Sequence, residues 1–213
     1  MNNQSSIRLN LTRERRWPPF VTRRSSFIIC SCRLLLAGAT MVSLAWAADV
    51  PLAFLNPGME EGTSTPAAWQ QGPPVTGVQL LWDQNTAHGG KASLCLKKSV
   101  RRYFPIAQWS QSLPVEPSST PRKLRVQCWV KADTVTKAII DVNYQGVGLQ
   151  PGHVWAVYLG QKQETDPILT QDWKLCKGVV EIPANASKIG IAFQIYGPGS
   201  VWFDDLQIAW IVS

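Results

Sequence analysis

The sequence predicts an all-β chain, a two-sheet antiparallel β-sandwich preceded by a signal peptide. Three observations lead there. Short β-rich runs recur at roughly 8 to 15 residues, separated by Pro, Gly, Asn and Asp clusters, which is the spacing of a sandwich. Within the runs apolar and polar residues alternate, so each strand has one oily face. Ahead of residue 48 the composition is of a different kind, basic and then uniformly apolar.

That leading segment is read first. Residues 1–47 hold seven Arg against a single acid, Glu14. The basic stretch ends at Arg33, an apolar run follows from Leu34 to Leu44, and Ala45-Trp46-Ala47 has the small-x-small pattern of a cleavage site. This predicts removal of 1–47, a mature domain over 48–213, and export to the periplasm, the cell surface or the medium. The apolar run is shorter than the about 20 residues that span a bilayer. Only an uncleaved leader would bring the chain to a membrane.

The charge follows the same division. The chain carries a formal +7, of which the leader supplies +6; from Ala48 onward 14 basic residues face 13 acidic ones. A nucleic-acid binder needs its basic patch on the folded domain, where phosphates are neutralised. The near balance argues against that class, and against strong salt dependence of any binding. Three cysteines remain after the leader, Cys95, Cys128 and Cys176; an odd, widely spaced set makes neither a disulfide framework nor a metal motif.

Strands are expected near 50–55, 77–83, 91–98, 105–113, 122–133, 136–144, 152–160, 173–182, 188–196 and 200–210. Breakers such as Asn56-Pro57-Gly58, His88-Gly89-Gly90 and Gly197-Pro198-Gly199 fall between them. Residues 61–77 read as a long surface loop. Leu124, Val126, Cys128 and Val130 oppose Arg125, Gln127, Trp129 and Lys131. Ala138, Ile140, Val142 and Tyr144 oppose Ile139, Asp141 and Asn143, and Ile189, Ile191, Phe193 and Ile195 oppose Gly190, Ala192, Gln194 and Tyr196. Packing the oily faces together gives the core and leaves polar and aromatic side chains outside.

Four segments in register carry a resemblance: Asn56-Pro57-Gly58-Met59-Glu60-Glu61-Gly62, His88-Gly89-Gly90-Lys91-Ala92-Ser93-Leu94, Leu124 to Ala132, and Gly199 to Ile208. Together they resemble the galactose-binding-like jelly-roll domains, in particular the carbohydrate-binding modules of cellulases and xylanases, over about residues 50–210. The resemblance implies a jelly roll that binds a polysaccharide or oligosaccharide and catalyses nothing. It also implies a structural Ca²⁺, with matching positions at Glu60, a carbonyl near Lys91, and Asp204 or Asp205; parity leaves open which aspartate is used. Calcium takes six to eight hard oxygen ligands, so carboxylates and carbonyls are the right donors.

In such modules sugars stack on exposed rings while their hydroxyls meet fixed amides and acids. The mature chain has eight Trp. The candidate ligand groups are Trp109 and Gln111 on one strand, Gln127 and Trp129 on another, Asp141 and Asn143 on a third, and Gln194. Trp69, Trp82 and Trp155, near loops, are expected as edge stackers, and Trp173 and Trp202 as core. An enzymatic reading stays open, as a polysaccharide lyase or glycosidase on a jelly roll, with Asp141 its best single acid. The chain lacks the Gly-x-Ser-x-Gly, His-Glu-x-x-His and Cys-x-x-Cys motifs. A lyase would gather Tyr, His and Arg in one groove. A structural or adhesive cell-surface or matrix protein is the third class, and oligomeric state is not readable from the sequence.

Overall fold

The computed structural model describes residues 49–212; the predicted leader lies outside the described residues. Eleven strands form two sheets, with no helix among the described residues. One sheet contains β3 (Val78–Asp83), β4 (Ser93–Lys98), β11 (Gly199–Trp210), β6 (Arg122–Val135) and β9 (Leu169–Ile182) in that spatial order, with β1 (Val50–Pro51) paired to the far end of β11. The other runs β2 (Gln70–Gln71), β5 (Ala107–Pro114), β10 (Lys188–Ile195), β7 (Lys137–Gly146), β8 (Leu149–Gly160). Every pairing is antiparallel. All ten expected strands are present, although the first is reduced to two residues. β2 lies inside the segment read as a loop, a short edge strand with no alternating run long enough to signal it.

The oily faces meet as their alternation requires. Leu94, Leu96, Val126, Cys128, Val130, Ile140, Val142, Ile191, Phe193 and Ile195 are all fully buried in one cluster. At its centre Phe193 stacks on Phe203 across the sandwich, with ring centroids 4.3 Å apart, and on Trp69 at 5.0 Å. Such pairs add about 0.5–1.5 kcal/mol beyond the area they bury. Trp69 therefore belongs to the core rather than to an edge. Its indole N–H donates to the Asn56 carbonyl, and so ties the first long loop to the sandwich.

Two bulges reshape the outer faces. On β8 the register slips between Ile140 and Asp141: Asp141 pairs with Trp155, and Ile140 with Val157. The extra residue, Ala156, lets Trp155 and Tyr158 stand on the same outer face despite their odd spacing. On β11 a bulge between Asp204 and Gln207 puts Asp205 at φ 48°.

Candidate functional site

The outer face of the five-stranded sheet takes its polar residues from adjacent strands, and much of it is covered: Ile139, Asp141, Ala192, Gln194 and Tyr196 are all buried. Gln194 of β10 pairs with Gln108 of β5 on one side and Ile139 of β7 on the other. The side chains form a chain of hydrogen bonds: the Tyr196 hydroxyl donates to Gln194 Oε1 at 2.8 Å, and Gln194 Nε2 donates to Gln108 Oε1 at 2.9 Å. Asn143 lies over Gly190, where a Cβ would come within 2.3 Å of its Oδ1, so the glycine makes the room the amide occupies. Asp141, 4% exposed, meets His153 of β8, Oδ1 to Nδ1 at 2.9 Å. Burial raises the Asp141 carboxyl above the ordinary carboxylate range, and the contact with His153 only partly offsets this.

Rings close the other end of this face. Trp155 is 43% exposed, and its ring lies 6.3 Å from that of Tyr196 and 6.0 Å from that of Tyr158. Phe104, in the segment before β5, sits edge-on to Tyr196 at 6.5 Å. Lys137 projects among them, its ammonium 4.5 Å from the Trp155 ring centre, 4.8 Å from Tyr196, 5.1 Å from Tyr158 and 5.9 Å from Tyr103. Burial pushes the Lys137 ammonium below, and the phenols of Tyr158 and Tyr196 above, their usual values. The result is a sheet face, called the cleft below, with the exposed ring of Trp155 and the exposed imidazole of His153 beside buried amides and a hydroxyl that bond to one another.

The expected ligand groups divide three ways. Asp141, Asn143 and Gln194 lie together in this cleft, although Asp141 is covered and reaches it through His153. Trp109 does not: it is 1% exposed, on the inner face of β5 with Ala107 and Leu113, and its indole N–H has no partner. Gln111 shares that inner face and clamps the backbone of Leu55, accepting from its N–H at 2.7 Å and donating to its carbonyl at 2.9 Å. Trp109 and Gln111 do share a face, as expected, but it is the inner one; the outward set is Gln108, Ser110 and Ser112. Gln127 and Trp129 do face outward, but from the six-stranded sheet. There Trp129 is roofed by the His88 ring, stacked at 3.8 Å. Neither residue belongs to the cleft.

Sequence reasoning missed Lys137, His153, Tyr103, Phe104, Tyr158 and Gln108. Trp155 was anticipated as a stacker, whereas Trp82 turns its indole N–H to the Met59 carbonyl. The buried Trp202 donates to Asp83. Trp173, half-buried, meets His88 edge-on.

The residues assigned to calcium converge on the turn from His88 to Ala92. Asp204, fully buried, accepts the N–H groups of His88 and Gly89, and Glu60 accepts those of Lys91 and Ala92. Gly90 is required here: its φ is +62°, and a Cβ would fall within 2.6 Å of the Glu60 carboxylate. Burial lifts the Asp204 carboxyl to about 6 against the pull of these N–H donors. Asp205 takes the His88 ring, Nδ1 to Oδ2 at 2.7 Å. Lys91 thus contributes its amide N–H to Glu60. Among the described residues no three His, Cys, Asp or Glu side chains group as a metal site. Asp205 Oδ1 and the Glu60 Cγ nonetheless both come within 4 Å of the place where a Gly58 Cβ would stand. Two carboxylates beside a turn are chemically suited to a hard cation that completes its shell with carbonyls and water.

No family model matches the sequence, and no curated protein matches it either. Solved structures do. The CBM22-1 xylan-binding domain of Paenibacillus barcinonensis Xyn10C superposes with a TM-score of 0.52 at 17% identity, over 78% of this chain and 99% of that one. The CBM22-1-GH10 modules of Clostridium thermocellum Xyn10B, complexed with xylohexaose, give 0.53 at 13% identity over 76% of this chain and 29% of that one. A cyclase from Fischerella sp. TAU gives 0.52 at 16% identity over 77% and 98%. The fold is therefore the jelly-roll sandwich expected from the sequence. The same fold serves a binding module and an enzyme, so function has to be argued from the cleft.

Proposed function

We propose that the domain binds a polysaccharide or oligosaccharide, without turning it over, in the cleft of the five-stranded sheet. The observation that carries this is Trp155. It is a large exposed ring beside Tyr196 and Tyr158, with the Tyr196–Gln194–Gln108 chain and Asn143 next to it. A pyranose offers an apolar C–H face to such a ring, and its hydroxyls need partners whose positions are already fixed. Stacking then supplies affinity, and the amides supply selectivity, because a polar group buried without its partner costs about 1–3 kcal/mol. The similarity to a xylan-binding domain and to modules complexed with xylohexaose supports a glycan as ligand. Retention of the purified domain on affinity gels cast with xylan, galactan and other glycans tests the reading, provided the same incubations release no reducing or unsaturated ends.

One observation favours an enzyme. Asp141 fixes one nitrogen of His153, whose side chain is 63% exposed, and leaves the other to the cleft; this is how a carboxylate orients a general base. Together with Tyr196 and Lys137 the groove holds more acid–base chemistry than a pure stacking platform needs. New product ends that vanish in His153→Ala would establish this second reading.

Export after removal of 1–47, and a structural calcium at the Glu60–Asp205 turn, belong to the same proposal. They suit a module that works on glycans outside the cell.

A further inference from the structure

At the aromatic end of the cleft a cation stands without an ion-pair partner, although the charges of the domain nearly balance. Lys137 has four aromatic rings within 6 Å of its ammonium and, among the described residues, no carboxylate at ion-pair distance. Two acids act on these rings from beyond ion-pair distance of Lys137: Asp141, which meets His153, and Asp166, which accepts the amides of Lys162 and Gln163. The segment that carries Tyr103 and Phe104 to the cleft begins Arg101-Arg102, both exposed and unpaired among the described residues. Lys98, buried, spends its ammonium on the Tyr103 carbonyl at 3.2 Å, again with no acid.

Rings stabilise an ammonium through their quadrupoles, but they bring no negative charge. A partly desolvated cation without a counterion attracts an anion more strongly than a solvated one, because the surrounding apolar rings lower the local dielectric. An aromatic face that stacks a sugar ring, beside a cation with nothing opposite it, is complementary to a sugar that carries its own charge.

From this charge pattern we propose that the cleft takes an anionic glycan, with Lys137 meeting a carboxylate or sulfate on the sugar stacked against Trp155. The proposal rests on the glycan-binding reading of the same cleft. It replaces the expectation of salt-independent binding: a near-zero total charge does not show where a single cation such as Lys137 stands.

The test is calorimetric titration of the mature domain with four hexasaccharides: hexagalacturonate, its fully methyl-esterified form, a sulfated carrageenan hexasaccharide and xylohexaose. The ester keeps the ring shape and removes the charge. The expected result is that an acidic ligand, uronate or sulfate, binds at least about tenfold more tightly than the ester and xylohexaose, and weakens several-fold between about 20 and 300 mM NaCl, as screening requires. Which acid wins identifies the substituent. Lys137→Met, which leaves a flexible apolar side chain among the rings, should remove the preference, and Lys137→Arg should retain it. Should Lys137→Met fail to fold, the ester comparison and the salt series on the unmodified domain decide alone. Neither acidic ligand binding more tightly than the ester, or xylohexaose as the tightest ligand, overturns the proposal and leaves glycan binding intact. No binding of any of the four overturns both.

Discussion

Asp141 and His153 face each other across β7 and β8, Oδ1 to Nδ1 at 2.9 Å, and the carboxylate is buried while most of the imidazole is not. The pair settles what Asp141 does in the cleft. In the proposed binding mode its effect on a ligand would pass through the exposed ring of His153.

A pH dependence follows from it. Burial raises the Asp141 carboxyl in the folded state more than His153 lowers it. The folded state therefore favours protonated Asp141. Stability from this group is full below the ordinary carboxylate value and is lost as pH rises through the raised one. Asp141→Asn mimics the protonated form and still accepts from His153. Its melting temperature should exceed that of the unmodified domain at pH 7, and the gap should close as pH falls below about 4. Thermal unfolding followed from pH 3.5 to 8 reads this directly; a gap that widens toward acid would contradict it.

Two tryptophans separate stability from binding. Trp109→Ala removes a fully packed core ring and should destabilise the domain by about 3–5 kcal/mol, read from chemical denaturation. Trp155→Ala removes an exposed ring and should leave the denaturation midpoint nearly unchanged. It should lower glycan affinity at least about tenfold, which is about 1.4 kcal/mol.

Gln111 provides a third contrast. Its amide makes two hydrogen bonds to the Leu55 backbone from the inner face of β5. Gln111→Ala leaves both backbone groups without that partner and should cost about 1–3 kcal/mol of stability. Glycan affinity, measured where the variant remains folded, should not change.

These contrasts mark what the sequence made legible. Alternation gave the phase of β6, β7 and β10 because each has an unbroken apolar set, and all ten expected core residues are buried. It failed on β5, where Gln occurs in both phases and Trp fits either face. Phase also says which way a side chain points, but not from which sheet. Trp129 and Asp141 both point outward, yet β6 joins β11 and β9 while β7 joins β10 and β8, so they stand on opposite surfaces. The aromatic end of the cleft was hidden for another reason. The bulge at Ala156 puts Trp155 and Tyr158 on one face, and strict alternation would place them on opposite faces. Tyr103 and Phe104 arrive from a segment between strands, where no periodicity exists.

Export is tested on the living source of the protein. N-terminal sequencing of the exported form should begin at or within a few residues of Ala48, since Ala45-Trp46-Ala47 supplies the small residues a signal peptidase requires. An intact leader on protein recovered from the cytosol would refute it.

The last prediction concerns the turn from His88 to Ala92. Four of its backbone N–H groups are already held by Asp204 and Glu60, so the turn has order without a metal. A calcium ion would share the Glu60 oxygens, both of which already accept amides, and take Asp205 Oδ1 beside Gly58. Its contribution is then an added stabilisation by mass action, about 2.7 kcal/mol when free Ca²⁺ is a hundred times its dissociation constant. Chelator should lower the melting temperature of the mature domain, and Ca²⁺ should restore it where Mg²⁺ does not, because magnesium demands a stricter octahedron at shorter distances. Glu60→Gln should abolish the response while keeping an acceptor for the Lys91 and Ala92 amides, and Asp205→Asn should weaken it. A domain whose melting temperature ignores both chelator and calcium, and that carries no metal on elemental analysis, would assign Glu60 entirely to those two amides.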